Sequence, residues 1–385
     1  MIRACAITDK GIEKITVLEL DEIIKAKGVA EESVVLFECK DYDELFTFCY
    51  KAQSIERVLL LLDSFAFKNQ EEMLLKASES LKKIELDKWF DKDKSFRVVC
   101  ERRGEHAFGS QTIEEELGEL IIKDVKRSSG FLPDVSMEAP DTIIYTFINN
   151  DKAYLGIDLA GRDLSKRKYR IFSAPGIINA NLAYAIIRLS EYSPKEKMID
   201  LFCKSGVVCI EAALYASRKS ANYYSKDFAF KKLKPFNKKD WERLFKAIDE
   251  KAKLKGLSIS GFDPMLRNVE ASKKNAKLAG VDKIIGFSRM DVEWLDTKLE
   301  KNSVDCVISR ISCPSKHVKE SDIRKSYKEL FYQAEFVVKK GGRLALLCEN
   351  PSLLKEITLP AFKITKEDKL WAGKQKYELV MMKKA

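Results

Sequence analysis

Only two histidines, His106 and His317, occur in 385 residues, and they stand far apart. The nine cysteines (Cys5, Cys39, Cys49, Cys100, Cys203, Cys209, Cys306, Cys313 and Cys348) are odd in number and scattered, and no two have CxxC spacing. A zinc centre and a disulfide framework are therefore both poor readings, and the thiols are expected to be reduced and mostly buried. Long apolar runs are missing as well. No stretch is long enough to span a bilayer, and "MIRACAITDKGIEKIT" lacks the apolar segment and cleavage site of a signal peptide. The expectation is a cytoplasmic protein with no membrane partner and no metal. Neither GxGxxG nor a P-loop is present, which argues against dinucleotides and nucleoside triphosphates. Internal repeats and low-complexity segments are also absent.

What is present describes a soluble globular protein, with 45% apolar and 33% charged residues in a length that suits two or three domains. Lysine and arginine exceed aspartate and glutamate by 69 to 59, giving a net charge of +10. That excess suits a phosphate-rich partner without demanding one.

Residues 1–85 mix short apolar strands such as "KITVLEL" and "ESVVLFEC" with amphipathic stretches such as "DYDELFTFCYKAQSI", an α+β pattern carrying no visible chemistry. From residue 86 a strand, a basic turn and a helix follow in "SFRVVCERRGEHAFGSQTIEEELGELI". The last half alternates strands with helices, which predicts a mostly parallel sheet wrapped by helices. Ligands of such sheets sit at the carboxyl ends of the strands.

Three of those ends attract attention. "DLFCKSG" offers backbone N–H groups and a helix start at Ser205–Gly206, "SGFDP" places Asp263 just past a strand, and "SRMDV" does the same with Asp291. A carboxylate at the second position accepts hydrogen bonds from a ribose diol, and one at the third accepts from an adenine amine. Without a phosphate-binding fingerprint, adenosine lacking a phosphate tail fits best, which points to S-adenosylmethionine.

The chain resembles the THUMP-domain tRNA (guanine-N2-) methyltransferases. "DLFCKSGVVCIEAAL" is similar to that family's first cofactor motif, DPFCGSG followed by EAA, and "FRVVCERRGEHAFGSQTIEEELGELI", "KAYLGIDLAGRDLSKRKYRIFSAPGIINANLAYAIIRLS", "DFAFKKLKPFNKKDW" and "GFDPMLRNVEASKKNAKLAG" resemble its other segments. The resemblance implies an α/β fold: a Rossmann-like methyltransferase domain preceded by an α+β ferredoxin-like plus THUMP module. The implied boundaries are 1–85 for the ferredoxin-like domain, 86–172 for THUMP, 173–192 for a linker helix and 193–385 for the methyltransferase domain. Carried over by position, Asn181, Asp200, Phe202, Ser205, Gly206, Asp263 and Asp291 bind the cofactor. Leu201 and Lys204 depart from the first motif, where proline and glycine are usual. In the fourth motif, Arg310, Ile311, Ser312 and Cys313 replace the usual Asn-Pro-Pro-Tyr, so Arg310, Ser312 and Cys313 occupy the catalytic positions with altered chemistry. Arginine offers no acceptor to an amine and cysteine does not stack on a base. His317 is the one nearby base in the sequence.

Two basic turns, one with Arg102, Arg103 and His106 and one with Lys166, Arg167, Lys168 and Arg170 around Tyr169, are expected to grip RNA phosphates. The resemblance implies tRNA, including its 3′ end, as the partner of a monomer. It implies methyl transfer to the exocyclic N2 amine of a guanosine, the alternative being a catalytically impaired or inactive RNA-binding relative.

Overall fold

The structure, a computed structural model, describes residues 1–83, 85–316 and 318–385. It divides into two compact units. The first comprises Met1–Thr8, Thr16–Leu164 and Lys226–Ile248, and the second comprises Asp9–Ile15, Ser165–Ser225 and Asp249–Ala385.

In the first unit, strands β1 (Ile2–Thr8), β2 (Gly28–Glu31), β3 (Val34–Cys39), β4 (Ile55–Ala66), β5 (Ser95–Arg103), β6 (Asp134–Val135), β7 (Thr142–Asn149) and β8 (Lys152–Asp158) form one sheet. Their order is β2-β3-β1-β4-β8-β7-β5-β6. The sequence boundary at residue 85 therefore does not separate two sheets. The apolar run "RVLLLL" in β4 is buried along most of its length and needs a neighbour on both edges. It pairs with β1 on one side and, from Leu59↔Asp158 to Ala66↔Lys152, with β8 on the other. Helices α1 (Glu13–Ile24), α2 (Tyr42–Lys51), α3 (Gln70–Lys82) and α4 (Ser110–Ser129) intervene between strands.

Residues 226–248 are a second departure from the expected boundaries. "DFAFKKLKPFNKKDW" belongs to the first unit, although the sequence places it inside the methyltransferase domain. Its aromatics explain why. Phe230 lies 4.6 Å from Phe46, Phe236 lies 4.7 Å from Tyr42, and Phe228 stacks on Phe230 at 4.9 Å. Large rings in an otherwise polar insert are most stable where other rings already exclude water.

In the second unit, β9 (Lys197–Asp200), β10 (Ser258–Asp263), β11 (Ile285–Arg289), β12 (Val304–Arg310), β13 (Val338–Cys348), β14 (Phe362–Ala372) and β15 (Gln375–Lys384) are ordered β11-β10-β9-β12-β13-β15-β14. The first five are parallel, and β14 and β15 close one edge as an antiparallel pair. Helices α5 (Ala180–Leu189), α6 (Val207–Ser217), α8 (Leu266–Ala279), α9 (Glu320–Val337) and the short α10 (Ser352–Ile357) accompany these strands, while α7 (Trp241–Asp249) lies in the insert. The chain winds outward from β9 to β11, then returns to the other side at β12. This is the Rossmann-like architecture implied by the resemblance, and its switch point lies between β9 and β12.

Residues 9–15 join this unit for an electrostatic reason. The Asp9 carboxylate is almost fully buried and accepts hydrogen bonds from Asn181 Nδ2 (2.9 Å) and the Gly373 N–H (3.0 Å). A buried carboxylate without such donors is strongly unfavourable. No helix among the described residues is long and apolar enough to cross a membrane.

Candidate functional site at the strand ends

The site is built around the end of β9. Asp200, its last residue, is buried, and its Oδ1 accepts hydrogen bonds from Ser309 Oγ (2.6 Å) and the Phe202 N–H (3.2 Å). Ser309 Oγ in turn accepts the Leu201 N–H at 2.8 Å. These bonds tie β9 to β12 across the switch point. Burial pushes the Asp200 carboxyl up to about 7. Its folded value then exceeds its unfolded one, so the folded state holds the extra proton between about pH 4 and 7 and this group's contribution to stability falls as pH rises through that window. The slope is on the order of 4 kcal/mol over the window and flat above it. Asp200→Asn is expected to flatten that part of a urea-midpoint-against-pH curve. An identical curve in wild type and variant contradicts the assignment.

The turn after Asp200 folds back on β10. The Cys203 N–H donates to the Phe262 carbonyl (2.9 Å) and the Gly206 N–H to the Cys203 carbonyl (2.6 Å). Lys204 adopts the left-handed conformation at φ +49, and Gly206 follows at φ +81 as the cap of α6. Lysine thus takes the turn at a cost of roughly 1–2 kcal/mol relative to glycine. At Gly206 no side chain fits, because a Cβ there would stand 2.9 Å from Ser272 Cβ and 3.0 Å from Phe287 Cζ. Ser205 is buried, with its carbonyl accepting from Asn275 Nδ2 at 3.0 Å.

Asp263, the last residue of β10, fastens the same turn. It accepts from the Lys204 N–H (3.0 Å) on one oxygen, and from the Met265 N–H and Asn268 Nδ2 (both 2.9 Å) on the other. Two carboxylate oxygens offer about four acceptor positions, so one remains for a ligand hydroxyl. Asp291 is exposed beyond β11 and accepts the Glu293 N–H at 3.5 Å. Phe202 and Met290 lie half-buried against the neighbouring core. This set of acceptors and apolar walls fits an adenosine.

The other end of the site is cationic. Lys204 Nζ donates to the Gly176 carbonyl at 2.9 Å. Arg310, at the end of β12, is ion-paired with Glu349. Burial and then the Arg310 charge draw the Lys204 ammonium down to about 8. Gly176 and Glu349 were missed by sequence reasoning. Gly176 lies in the quoted segment "SAPGIINAN", and Glu349 directly follows β13, where an acid at a strand end was the available signal.

At the remaining catalytic positions, Ile311 is buried and donates its N–H to the Leu347 carbonyl (2.9 Å), and the Ser312 carbonyl accepts the Tyr327 hydroxyl (2.6 Å). Cys313 Sγ lies 3.9 Å from the Tyr327 hydroxyl and donates to the Asn350 carbonyl at 3.5 Å. The hydrogen bond with Cys348 chiefly lowers the Cys313 thiol below its ordinary value, while Cys348 moves upward. Cys313 is also the half-exposed member of nine free cysteines, the other eight being buried. Brief iodoacetamide treatment at pH 7 is therefore expected to label Cys313 first. Peptide mass spectrometry showing uniform labelling, or labelling elsewhere first, contradicts this. His317 lies outside the described residues.

Several expected contact residues are bonded within the chain. Asn181 is fully buried, donating to Asp9 and accepting the Leu182 N–H, so its amide serves to anchor residues 9–15. Arg167 is buried too. Its Nε and Nη2 meet Glu211 at 3.1 and 3.2 Å, and the buried Tyr169 donates to the same carboxylate at 2.7 Å. The alternation of the segment sends Lys166 and Lys168 outward and Arg167 and Tyr169 inward, with Arg170 half-buried. In the first unit, Arg103 is held by Glu56 (2.6 Å), Glu101 (3.0 Å) and the Thr8 carbonyl (2.9 Å), and His106 Nε2 donates to the Asn150 carbonyl at 2.7 Å. Arg102 donates Nε to Ser110 Oγ and lies 5.5 Å from the Phe108 ring centre. Among the described residues, no three His, Cys, Asp or Glu side chains gather to hold a metal ion.

Comparison with known proteins agrees with this geometry. Residues 167–373 match the family UPF0020, the RMKL-like methyltransferase domain, and residues 76–158 match the THUMP domain. The tRNA (guanine(6)-N2)-methyltransferase of Methanocaldococcus jannaschii is 27% identical over 353 residues, covering 90% of each chain. TrmN from Thermus thermophilus shares the fold at TM-score 0.73 and 21% identity, with complete coverage of both chains. SMU.472, solved in complex with S-adenosylhomocysteine, does so at TM-score 0.82 and 22% identity over 99% of this chain and 97% of its own. The family match spans more than half of the sequence and encloses every strand end described above, so the chain belongs to the UPF0020, RMKL-like methyltransferase family and carries a THUMP domain in its first half.

Proposed function

We propose that this chain is an S-adenosylmethionine-dependent tRNA methyltransferase that modifies the exocyclic N2 amine of a guanosine. The observation that carries the reading is Asp263, which binds the β9 turn into shape while keeping an acceptor position for a ribose hydroxyl. The activity of the M. jannaschii relative supports the choice of substrate. The THUMP domain supports tRNA as the partner. The reading extends to a cytoplasmic monomer that grips the 3′ end of that tRNA.

When bound, S-adenosylmethionine supplies an electrophilic methyl group. Asp263 and Asp291 orient its adenosine by accepting from ribose and adenine. At the end of β12 the Ile311 carbonyl and the Ser312 hydroxyl are the groups that accept N–H bonds from the target amine, since Arg310 has no acceptor and Tyr327 occupies the Ser312 carbonyl. Rate enhancement then comes from positioning rather than from acid–base chemistry. Arg102, Lys166 and Arg170 contact RNA phosphates, while Arg103, His106 and Arg167 do not.

The Lys204–Arg310 corner favours a second reading, an RNA-binding protein that binds tRNA without methylating it. The experiment is incubation of the purified chain with methyl-tritiated S-adenosylmethionine and unmodified tRNA transcripts, followed by nucleoside analysis. Label in N2-methylguanosine supports the first reading. Retention of tRNA on filters with no label transferred overturns it in favour of the second.

A further inference from the structure

Two cations crowd one point of the site. A Cβ placed on Gly176 would stand 2.7 Å from Lys204 Nζ and 2.9 Å from Arg310 Nη1. Gly176 sits at φ +67, so the chain crosses this corner with its one side-chain-free residue, and its carbonyl holds the lysine. Glu349 pairs with Arg310. Arg310 Nε is buried and has no hydrogen-bond partner among the described residues. Like charges brought together out of bulk water are unfavourable unless an anion joins them, and an N–H left unbonded adds to the cost.

S-adenosylmethionine carries two positive groups, its sulfonium and its ammonium, and one negative group, its carboxylate. The cation pair repels the first two and attracts the third. We propose that Lys204 and Arg310 form a subsite for the carboxylate of the cofactor's amino-acid tail, making Lys204 a positioning residue in place of the glycine usual at that turn. The proposal rests on the cofactor reading above. The carboxylate supplies a second anion beside Glu349, so that each of the two cations has one. Held there, it directs the sulfonium away from the two cations and thereby fixes which way the cofactor lies along the strand ends.

Calorimetric titration distinguishes the contributions of the tail. The probes are S-adenosylhomocysteine, S-adenosyl-3-thiopropylamine, which lacks only the carboxylate, and 5′-methylthioadenosine, which lacks carboxylate and ammonium. In the wild type the expected order is S-adenosylhomocysteine tightest and the thiopropylamine weakest, with about tenfold or more between them, the range of a charge-assisted hydrogen bond. Lys204→Met is expected to shrink that ratio at least about fivefold, with methylthioadenosine binding nearly unchanged, and Lys204→Arg is expected to restore the ratio. Carboxylate binding also draws Lys204 back toward its protonated form, so the wild type takes up protons near pH 8 and Lys204→Met does not. Equal affinity for the three probes, or a ratio untouched by Lys204→Met, overturns the proposal and leaves the cofactor reading standing. No binding of any probe overturns the cofactor reading and this subsite with it.

Discussion

Asp263→Ala is expected to abolish measurable S-adenosylmethionine binding and to destabilise the second unit. The carboxylate is nearly fully buried and accepts three donors at 2.9–3.0 Å from the Lys204 N–H, the Met265 N–H and Asn268. Alanine leaves all three without an acceptor, and each abandoned donor costs about 1–3 kcal/mol. The sum is roughly 3–5 kcal/mol after water reaches part of the opened space. Binding suffers for two separate reasons. The ribose loses its acceptor, and the turn carrying Lys204 loses the bond that holds it against β10. A loss of at least about 100-fold in affinity is expected from a removed charged acceptor plus a disordered turn. Asp263→Asn separates the effects, because one oxygen remains while an amide N–H replaces the other and faces a backbone donor. Its affinity should fall between those of wild type and Asp263→Ala. A folded Asp263→Ala protein, checked by circular dichroism, that binds the cofactor within about threefold of wild type contradicts the site's central assignment.

The second large effect is expected at a residue whose sequence context suggests RNA. Arg167 and Glu211 have fully buried side chains, and the pair is bidentate, with Tyr169 donating to the same carboxylate. Arg167→Met leaves a carboxylate buried without its countercharge, which costs about 3–5 kcal/mol. The double variant Arg167→Met/Glu211→Leu removes both charges and should recover most of that loss, because a buried ion pair contributes little net stability over an apolar replacement. Urea denaturation of the two variants measures this directly. The double variant also decides the role of Arg167 in recognition. Its tRNA affinity should stay within about twofold of wild type, whereas loss of a phosphate contact lowers both affinity and the salt dependence of binding. A shallower salt slope in the folded double variant would return Arg167 to the RNA interface.

Most of the second unit could be read along the chain, because its elements announce themselves locally. Apolar runs of strand length alternate with helical patterns, and the turn at Ser205–Gly206 is marked by its glycine. The exception is β14, "FKITKEDKLWA", whose charges hide its strand character. Charged side chains are common on an edge strand, where they discourage pairing with other chains, and β14 lies at the sheet edge. Residues 226–248 escaped for the opposite reason. Their rings are visible in the sequence, but nothing local says that Tyr42, Phe46 and Tyr50, nearly 200 residues earlier in the same unit, are the rings they join.

Charged residues divide in the same way. Strand ends in the sequence pointed to Ser205–Gly206, Asp263 and Asp291, whereas Asp200, Lys204 and Arg310 stood out only through the resemblance to the family's motifs. The sequence did not distinguish exposed Lys166 from buried Arg167, or show that Arg103 is held by two carboxylates. That distinction depends on acids distant in sequence: Glu211 lies 44 residues from Arg167, and Glu56 lies 47 from Arg103. Fold class, cofactor class and the departures at Lys204 and Arg310 were legible in the sequence, because each rests on local patterns along the chain: strand–helix alternation, residues at strand ends and short motifs. Which polar groups are free to meet a ligand was decided only by the tertiary structure, because a buried charge takes whichever partner the folded chain brings within hydrogen-bond reach.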